Sequence, residues 1–209
     1  MSTVQKVKMK NEVFLEACTI GNLEKVKKLL KDSLFNPCYY PNLYPIIWAS
    51  SNGHLEVVKE LLEDKRFIFY EDDNYAIIMA SFNGHFEIVK ELLKYSIFNP
   101  SYQDNYAIIC ASFNGHLEVV KELLKHPNVD PSVQDNYAIR KASRNGNLEI
   151  VKELMKDSRV DPSDKNNEAI HGAFSYGHIE VVEELLKDSR VNPSEIQKFL
   201  EELMDIKNC

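Results

Sequence analysis

The sequence predicts an all-α solenoid of about six stacked helix pairs, because close copies of one stretch, Asn114 to Leu124, recur at a fixed spacing. From Gly53 onward the glycine of this stretch returns every 31 residues, and one further copy lies 32 residues upstream of Gly53. These glycines are Gly21, Gly53, Gly84, Gly115, Gly146 and Gly177. A repeat of this length indicates supersecondary units that stack on their neighbours.

Each copy reads as two helices joined by its glycine. Apolar residues with helical spacing mark the second helix, and they are Leu117, Val120, Leu123 and Leu124. Lys121 faces away from them. Residues 106–114 read as the first helix, and Gly115 then supplies the left-handed residue that ends this helix and reverses the chain.

Two columns of residues, read down the repeats, predict the core. One contains Phe14, Ile46, Ile77, Ile108, Ile139 and Ile170, and the other contains Ala17, Ala49, Ala80, Ala111, Ala142 and Ala173. Residues three apart lie on the same helix face, so we expect both columns to be buried, with alanine where helices approach most closely. The first helices after the N-terminal pair are expected to open at Tyr44, Tyr75, Tyr106, Tyr137 and Glu168.

The predicted organisation is one continuous domain, since a 31-residue helix pair cannot bury its own apolar face. We expect a mobile tail at residues 1–10 and a C-terminal capping helix at residues 194–209, where Ser194 and Gln197 form a capping box. The repeats between them are placed at about 11–42, 43–73, 74–104, 105–135, 136–166 and 167–193. Asn-Pro or Asp-Pro pairs follow most second helices, but the apolar residues 67–70 replace this pair in the second repeat.

Composition excludes several classes of protein. The net charge of −7 argues against a nucleic-acid partner, because such binding depends on clustered Lys and Arg. We find neither the apolar region of a signal peptide nor an apolar run that could span a membrane, so we expect an intracellular, cytoplasmic monomer with no membrane partner. The cysteines lack CxxC spacing and are expected to be reduced packing residues; they are Cys18, Cys38, Cys110 and Cys209.

Repeated histidines are the only candidates for metal or acid–base chemistry. They occupy one position in four repeats and are His54, His85, His116 and His178. Stacked helices lie ~8–10 Å apart, whereas the nitrogen ligands of one zinc ion lie ~2.1 Å from it, so these histidines are expected to begin second helices and to bond local backbone. No phosphate loop or nucleophile motif occurs. We therefore expect no catalytic residue, no metal site, no cofactor and no enzymatic activity.

The repeat resembles the ankyrin repeat over about residues 11–194. The resemblance lies in a first helix ending in Ala-x-x-x-Gly-His, a second helix with Val-Val-x-x-Leu-Leu and an extended loop. It implies an ankyrin-repeat solenoid with short loops. The usual Thr-Pro-Leu-His of the family is here Tyr-Ala-Ile-Ile in two repeats, with only Pro45 and His171 retained. This shortened form is similar to ankyrin proteins of amoebae and of the giant DNA viruses that infect them, which implies either a viral protein in the host cytoplasm or an amoebal protein.

Two positions on the first helices vary between repeats. One reads Trp48, Met79, Cys110, Lys141 and Gly172, and the other reads Ser51, Phe82, Phe113, Arg144 and Ser175. In proteins that this chain resembles, such positions line a concave groove that grips a protein partner. The alternative is that the aromatic residues only pack on neighbouring first helices. The candidate partner-binding residues are Trp48, Met79, Phe82, Cys110, Phe113, Arg140, Lys141 and Arg144.

The same face is expected to change from apolar to basic along the chain. A third column reads Ile47, Ile78, Ile109, Arg140 and His171. Since a buried, unpaired guanidinium is costly, Arg140 must reach water or an acid such as Asp135. With Lys141 and Arg144 it forms a positive patch, which favours a partner segment that is apolar at one end and acidic at the other. Simple solvation of the three charges is the alternative.

The sequence therefore predicts a non-enzymatic protein–protein interaction module. A second hypothesis is a substrate-recruiting adaptor for a host ubiquitin ligase. Adaptors of that kind carry an F-box-like C-terminal segment, and residues 194–209 are too short to form one. Fold alone does not identify the partner.

Overall fold

The computed structural model describes residues 3–33, 35–36, 44–192 and 194 of the 209-residue chain. Within these residues the regular elements are twelve α-helices and one 3₁₀ turn, Glu71–Asn74, and there is no strand. The helices are α1 (Thr3–Thr19), α2 (Leu23–Leu30), α3 (Pro45–Ser51), α4 (Leu55–Glu63), α5 (Tyr75–Phe82), α6 (Phe86–Leu92), α7 (Tyr102–Asn114), α8 (Leu117–Leu124), α9 (Val133–Arg144), α10 (Leu148–Leu154), α11 (Asp164–Ser175) and α12 (Ile179–Leu185).

Contacts divide the chain into two compact units, Met1–Ala107 and Ile108–Cys209. In the first unit the first helices α1, α3 and α5 pack side by side, and the second helices α2, α4 and α6 do the same. In the second unit α9 packs on α11, and α10 packs between α8 and α12. Each unit therefore has one layer of first helices and one layer of second helices, and the core lies between the two layers.

Both predicted core columns are confirmed. Every residue of the Phe/Ile column and of the Ala column is at most 3% exposed. Full burial of one isoleucine side chain stabilises a fold by roughly 1.5–3 kcal/mol relative to exposure. The predicted helix starts also agree with the structure, since α5 begins at Tyr75 and α3 begins one residue after Tyr44.

One detail of the predicted outline is wrong. Helix α1 begins at Thr3, so residues 3–10 are helical and do not form a tail. Lys10, in this helix, pairs with Asp32 at 2.6 Å. The capping helix predicted for residues 194–209 lies outside the described residues apart from Ser194.

The buried face of the second helices also differs from the predicted one. In α8 the buried residues are Val119, Val120 and Leu123, whereas Leu117 and Leu124 are half-buried. The buried face is rotated toward Val119 because α8 also packs on α10, the second helix of the next repeat. A spacing argument that considers one contact direction misses this rotation.

Three first helices begin with a left-handed turn, opposite in hand to the α-helix that follows it. In α7, α9 and α11 three successive residues have φ between 51° and 63°, and these residues are Gln103, Asp104, Asn105, Gln134, Asp135, Asn136, Lys165, Asn166 and Asn167. For residues other than glycine, the left-handed conformation costs about 1–2 kcal/mol each. Right-handed helix then starts at the predicted Tyr106, Tyr137 and Glu168. Contacts elsewhere must offset the cost of the turn.

Asparagine at the last position of the turn supplies such contacts. Asn136 is buried, accepts a hydrogen bond from the backbone N–H of Asp161 at 2.8 Å and donates to Asp164 Oδ2 at 2.6 Å. Asn167 accepts in the same way from the N–H of Asn192 at 2.8 Å. This side chain therefore joins the start of a repeat to the loop that ends it, 25 residues later.

The histidines at the start of the second helices bond the preceding repeat. Nε2 of His54 lies 2.9 Å from the carbonyl oxygen of Thr19, and Nε2 of His85 lies 3.1 Å from that of Ser51. The expected bond to local backbone is therefore wrong for both residues. Their rings connect one repeat to the one before it.

The glycine between the paired helices is required for two reasons. Gly21 has φ 74°, which favours glycine, and a Cβ there would lie 2.4 Å from Nδ1 of His54. Where Asn147 replaces the histidine, it faces Gly115 and donates to the carbonyl oxygen of Ser112 at 2.8 Å. The amide thus performs the connecting role of the imidazole.

Arginines in the loops provide another connection between repeats. Arg159 forms two hydrogen bonds with the carboxylate of Asp157, at 3.0 and 2.6 Å, which hold the pKa of Asp157 below its ordinary value. Its remaining nitrogen donates to the carbonyl oxygen of Val129 at 3.0 Å. Arg190 reaches Val160 in the same way. Each arginine ties its loop to the loop of the preceding repeat.

The apolar residues that replace proline in the second repeat pack as aromatic rings. Phe67 lies 6.2 Å from Phe14 and 6.0 Å from Phe69, between ring centroids. Phe69 in turn lies 5.5 Å from Phe98. Aromatic pairs at these distances stabilise by about 0.5–1.5 kcal/mol beyond their burial, so this loop is held by rings instead of by proline.

Position within the repeat should set the cost of a substitution. Leu123 is fully buried, so Leu123→Ala should lower the free energy of unfolding by about 2–5 kcal/mol. Lys121 is half-exposed and forms a surface ion pair with Glu118, so Lys121→Ala should change the free energy of unfolding by less than about 0.5 kcal/mol. Urea denaturation followed by circular dichroism measures both, and equal losses would show that the helix face is misassigned.

The buried asparagine should matter more than an exposed one in the same conformation. Asn136→Gly keeps the left-handed backbone but removes two side-chain hydrogen bonds, and should cost about 1–3 kcal/mol. Asn166→Gly makes the same substitution at φ 56° on the surface and should cost less than about 0.5 kcal/mol. If thermal melts show equal losses for the two variants, the side chain of Asn136 does not hold the repeat closed.

Candidate partner-binding surfaces

The residues that vary on the first helices lie at the surface, with one exception. Trp48, Phe82 and Phe113 are 49%, 43% and 41% exposed. Met79 is half-buried, whereas Cys110 is only 5% exposed and has little surface to offer a partner. Packing on neighbouring helices therefore accounts for only part of the aromatic surface, and the rest faces solvent.

An apolar groove lies between α3 and α5 in the first unit. Its volume is about 390 Å³, and it is lined by Tyr44, Ile47, Trp48, Ser51, Asp72, Tyr75 and Met79. Most of the lining is aromatic or aliphatic. The structure thus brings two of the predicted residues, Trp48 and Met79, into one concave surface.

The rim of the apolar groove is fixed by side-chain contacts. Tyr44 donates its hydroxyl to Asp72 Oδ2 at 3.0 Å, and this hydrogen bond raises the pKa of Tyr44. The Tyr75 ring meets Tyr102 edge-on at 5.7 Å, and its hydroxyl accepts from Gln103. Sequence reasoning identified the two tyrosines only as helix starts and missed Asp72, although the tyrosines recur in register.

A cationic recess lies between α9 and α11 in the second unit. Its volume is about 210 Å³, and it is lined by Arg140, Lys141, Arg144, Glu168, His171, Gly172, Ser175 and Tyr176. The three predicted basic residues therefore meet in one depression. Arg144 lies four residues after Arg140 and three after Lys141, and these spacings bring side chains to the same side of α9.

Arg140 is the most enclosed of the three cations, with a side chain that is 10% exposed. Its guanidinium forms an ion pair with Glu168 and donates to the backbone carbonyl oxygens of Asp135 and Gln134 at 2.9 and 3.1 Å. It also lies 5.0 Å from the centre of the Tyr137 ring. The charge of Arg140 is thus neutralised within the protein.

The acid expected to pair with Arg140 is different from the one observed. The carboxylate of Asp135 binds Nζ of Lys165 at 2.8 Å, and this contact lowers the pKa of Asp135. Asp135 offers Arg140 only its backbone carbonyl oxygen, so Glu168, one repeat further on, takes the place of the expected carboxylate.

Lys141 and Arg144 have aromatic partners in place of acidic ones. Nζ of Lys141 lies 4.6 Å from the centre of the Tyr137 ring, and Cζ of Arg144 lies 4.9 Å from that of Tyr176, to whose hydroxyl Arg144 donates. No carboxylate of a described residue is within ion-pairing distance of either cation. These two charges remain available to a ligand.

Gly172 shapes the recess and was not recognised from the sequence. It lies in the middle of α11, where glycine costs about 1 kcal/mol relative to alanine. A Cβ at Gly172 would lie 3.4 Å from Cβ of Arg144. The missing side chain leaves the floor of the recess open. The sequence signal was a glycine at a position that other repeats fill with Trp48 or Met79.

Two findings concern metal binding and thiol chemistry in the described part of the chain. There, no group of three or more His, Cys, Asp or Glu side chains is placed to hold a metal ion. Burial raises the pKa of the Cys18 thiol to about 12, which removes it as a nucleophile at neutral pH. None of the helices in this part combines the length and the apolar character that a membrane crossing requires.

Comparison with protein families agrees with this architecture. The family model described as ankyrin repeats in three copies matches three overlapping stretches, residues 14–104, 46–135 and 107–195. A comparison with curated proteins gives no match, and the similarity to amoebal and viral proteins stays a prediction. The family matches together span most of the 209 residues, and the chain belongs to the ankyrin-repeat family.

Proposed function

We propose that this chain is a non-enzymatic module that binds a protein partner through the surface of its first helices. Ankyrin repeats are general protein–protein interaction modules. The observation that supports this function most directly is the apolar groove, where Trp48 holds about half of its surface open to solvent.

The composition of the groove favours a protein ligand. Trp and Tyr are the residues enriched at binding hot spots, and Met is enriched across interfaces. Trp48, Tyr44, Tyr75 and Met79 provide these types within about 390 Å³, a size that accepts one or two apolar side chains. The hydrogen bonds at the rim hold the tyrosines in place before binding, which lowers the entropic cost of association.

The proposed occupant is therefore a partner segment that inserts an apolar side chain, such as Leu or Phe, into the groove. The backbone of this segment or its neighbouring polar residues would contact Asp72 at the rim. Phe82, exposed on the same helix as Met79, extends the contact surface. An acidic part of the same partner is proposed to bind the cationic recess. Cytoplasmic location and a monomeric state belong to the same proposal.

An adaptor for a ubiquitin ligase would use the same groove for its substrate. It would need in addition a second segment that binds the ligase. Residues 195–209, where such a segment was considered, lie outside the described residues. No contact among the described residues favours this function over the simpler interaction module.

Peptides selected on the chain from a random display library should bind through Trp48. Trp48→Ala should weaken the selected peptides at least tenfold, because truncating a hot-spot aromatic residue costs about 2 kcal/mol or more. Fluorescence anisotropy with labelled peptides measures the change. Binding should depend little on salt, since the contact is apolar.

Lys59→Ala is the matched control. Lys59 lies on the second helix of the same repeat, where it forms an ion pair with Glu56, and it does not line the groove, so this variant should bind the selected peptides as the parent does. The proposal fails if peptides bind Trp48→Ala and the parent equally well, or if no peptide is selected.

A further inference from the structure

We propose that the cationic recess binds the phosphate group of a phosphorylated side chain on a partner protein. This inference rests on the proposed function, because it names the chemistry of one part of the partner. It starts from the two cations of the recess that the protein itself does not neutralise.

The charge count of the recess selects a doubly charged anion. Glu168 neutralises Arg140, while Lys141 and Arg144 have no acidic partner among the described residues. Two positive charges thus remain close together on one helix face, where they repel each other. A phosphorylated side chain carries about −1.5 to −2 at neutral pH and matches this charge, whereas one Asp or Glu side chain offers half of it.

Unused hydrogen-bond donors point the same way. The ammonium group of Lys141 has three N–H donors and lies over the face of Tyr137, and among the described residues no acceptor takes a hydrogen bond from it. Of the five N–H donors of Arg144, one is used by the Tyr176 hydroxyl. The guanidinium fork suits the tetrahedral oxygens of a phosphate, and a lysine beside it adds a point charge.

Contacts within the protein hold the side chains of the recess in this arrangement. Tyr137 supports Lys141 and Arg140 from one side, and Tyr176 supports Arg144 from the other. The pair of Arg140 with Glu168 anchors the base between α9 and α11. Preorganised cations lose less entropy when an anion binds.

The size of the recess limits the occupant to a side-chain head group. Its volume of about 210 Å³ is below the roughly 300–1,000 Å³ of pockets that enclose drug-sized molecules. Gly172 provides this space, and the same position holds the larger Trp48 and Met79 in other repeats. The recess is therefore particular to this pair of repeats.

A nucleic acid would supply phosphates as well, but the wider surface is unsuited to it. Nucleic-acid binding requires a row of cations along the backbone of the polymer. The chain has a net charge of −7, and the helices that follow α9 and α11 along the chain carry acids in their first turns, Glu149 in α10 and Glu180 in α12. One isolated phosphate fits this surface, whereas a polymer of phosphates does not.

The test uses the full chain and three fluorescein-labelled peptide pools with degenerate flanks. The pools differ only in a fixed central residue, which is phosphoserine, serine or glutamate. Fluorescence anisotropy should show that the phosphoserine pool binds at least tenfold more tightly than the serine pool and at least fivefold more tightly than the glutamate pool. Its affinity should fall steeply with added salt.

Two variants locate the binding on the recess. Lys141→Gln combined with Arg144→Gln should weaken the phosphoserine pool at least tenfold. Gly172→Met should do the same by filling the recess, and it retains the fold because Met79 occupies the equivalent position of another repeat. The control combines Lys125→Gln with Lys156→Gln, two exposed lysines that lie just after the ends of α8 and α10. It changes the net charge by the same amount and should change the affinity less than twofold.

Several outcomes would overturn the inference. Equal binding of the glutamate pool would show a general acidic site, and equal binding of the recess variants would place the phosphate elsewhere. If inorganic phosphate displaces the phosphoserine pool from the chain when the two are present at equal concentrations, the recess is a site for the free ion. If display-selected unmodified peptides bind through Trp48 while the phosphoserine pool does not bind, the inference fails and the proposed function stands.

Discussion

Burial of the isoleucine and alanine columns between neighbouring first helices is the contact on which the structure depends. A single pair of helices cannot bury these columns alone, and packing against the neighbouring pairs completes their burial. The remaining connections act on the same interfaces. His54 reaches back to the preceding repeat, and Arg159 ties successive loops together. Because these contacts use residues that recur in register, the exposed positions of the first helices are free to vary.

Hydrophobic periodicity was enough to predict the features that depend on apolar residues within one repeat. The core columns, the glycine turns and the starts of the first helices follow from spacing. Two features did not follow from it. The left-handed turn before Tyr137 is strained and is held by Asn136, whose partner lies 25 residues away. Arg140 forms its ion pair with Glu168, although Asp135 is closer along the sequence, because the carboxylate of Asp135 is bound by Lys165. Polar contacts of this kind depend on three-dimensional neighbours that a repeat pattern does not reveal.

The two candidate surfaces differ in the physics of recognition. The apolar groove offers Trp48 and Met79, so its affinity derives from removing apolar area from water. The cationic recess offers Lys141 and Arg144, so its affinity derives from charge-assisted hydrogen bonds and depends on salt. Both surfaces arise at variable positions of an otherwise uniform repeat. Of the predicted binding residues, Cys110 is the one that the fold places in the core.

Removal of one whole repeat tests the dependence on neighbouring repeats most directly. Deleting residues 137–167 joins Asn136 to Glu168, so that a left-handed turn again precedes a first helix in the original register. Urea denaturation followed by circular dichroism should show one cooperative transition with an m-value lower by about one-sixth, since m scales with the surface exposed on unfolding. Loss of the cooperative transition would contradict the account, because it would mean that the deleted residues belong to a core shared by distant repeats.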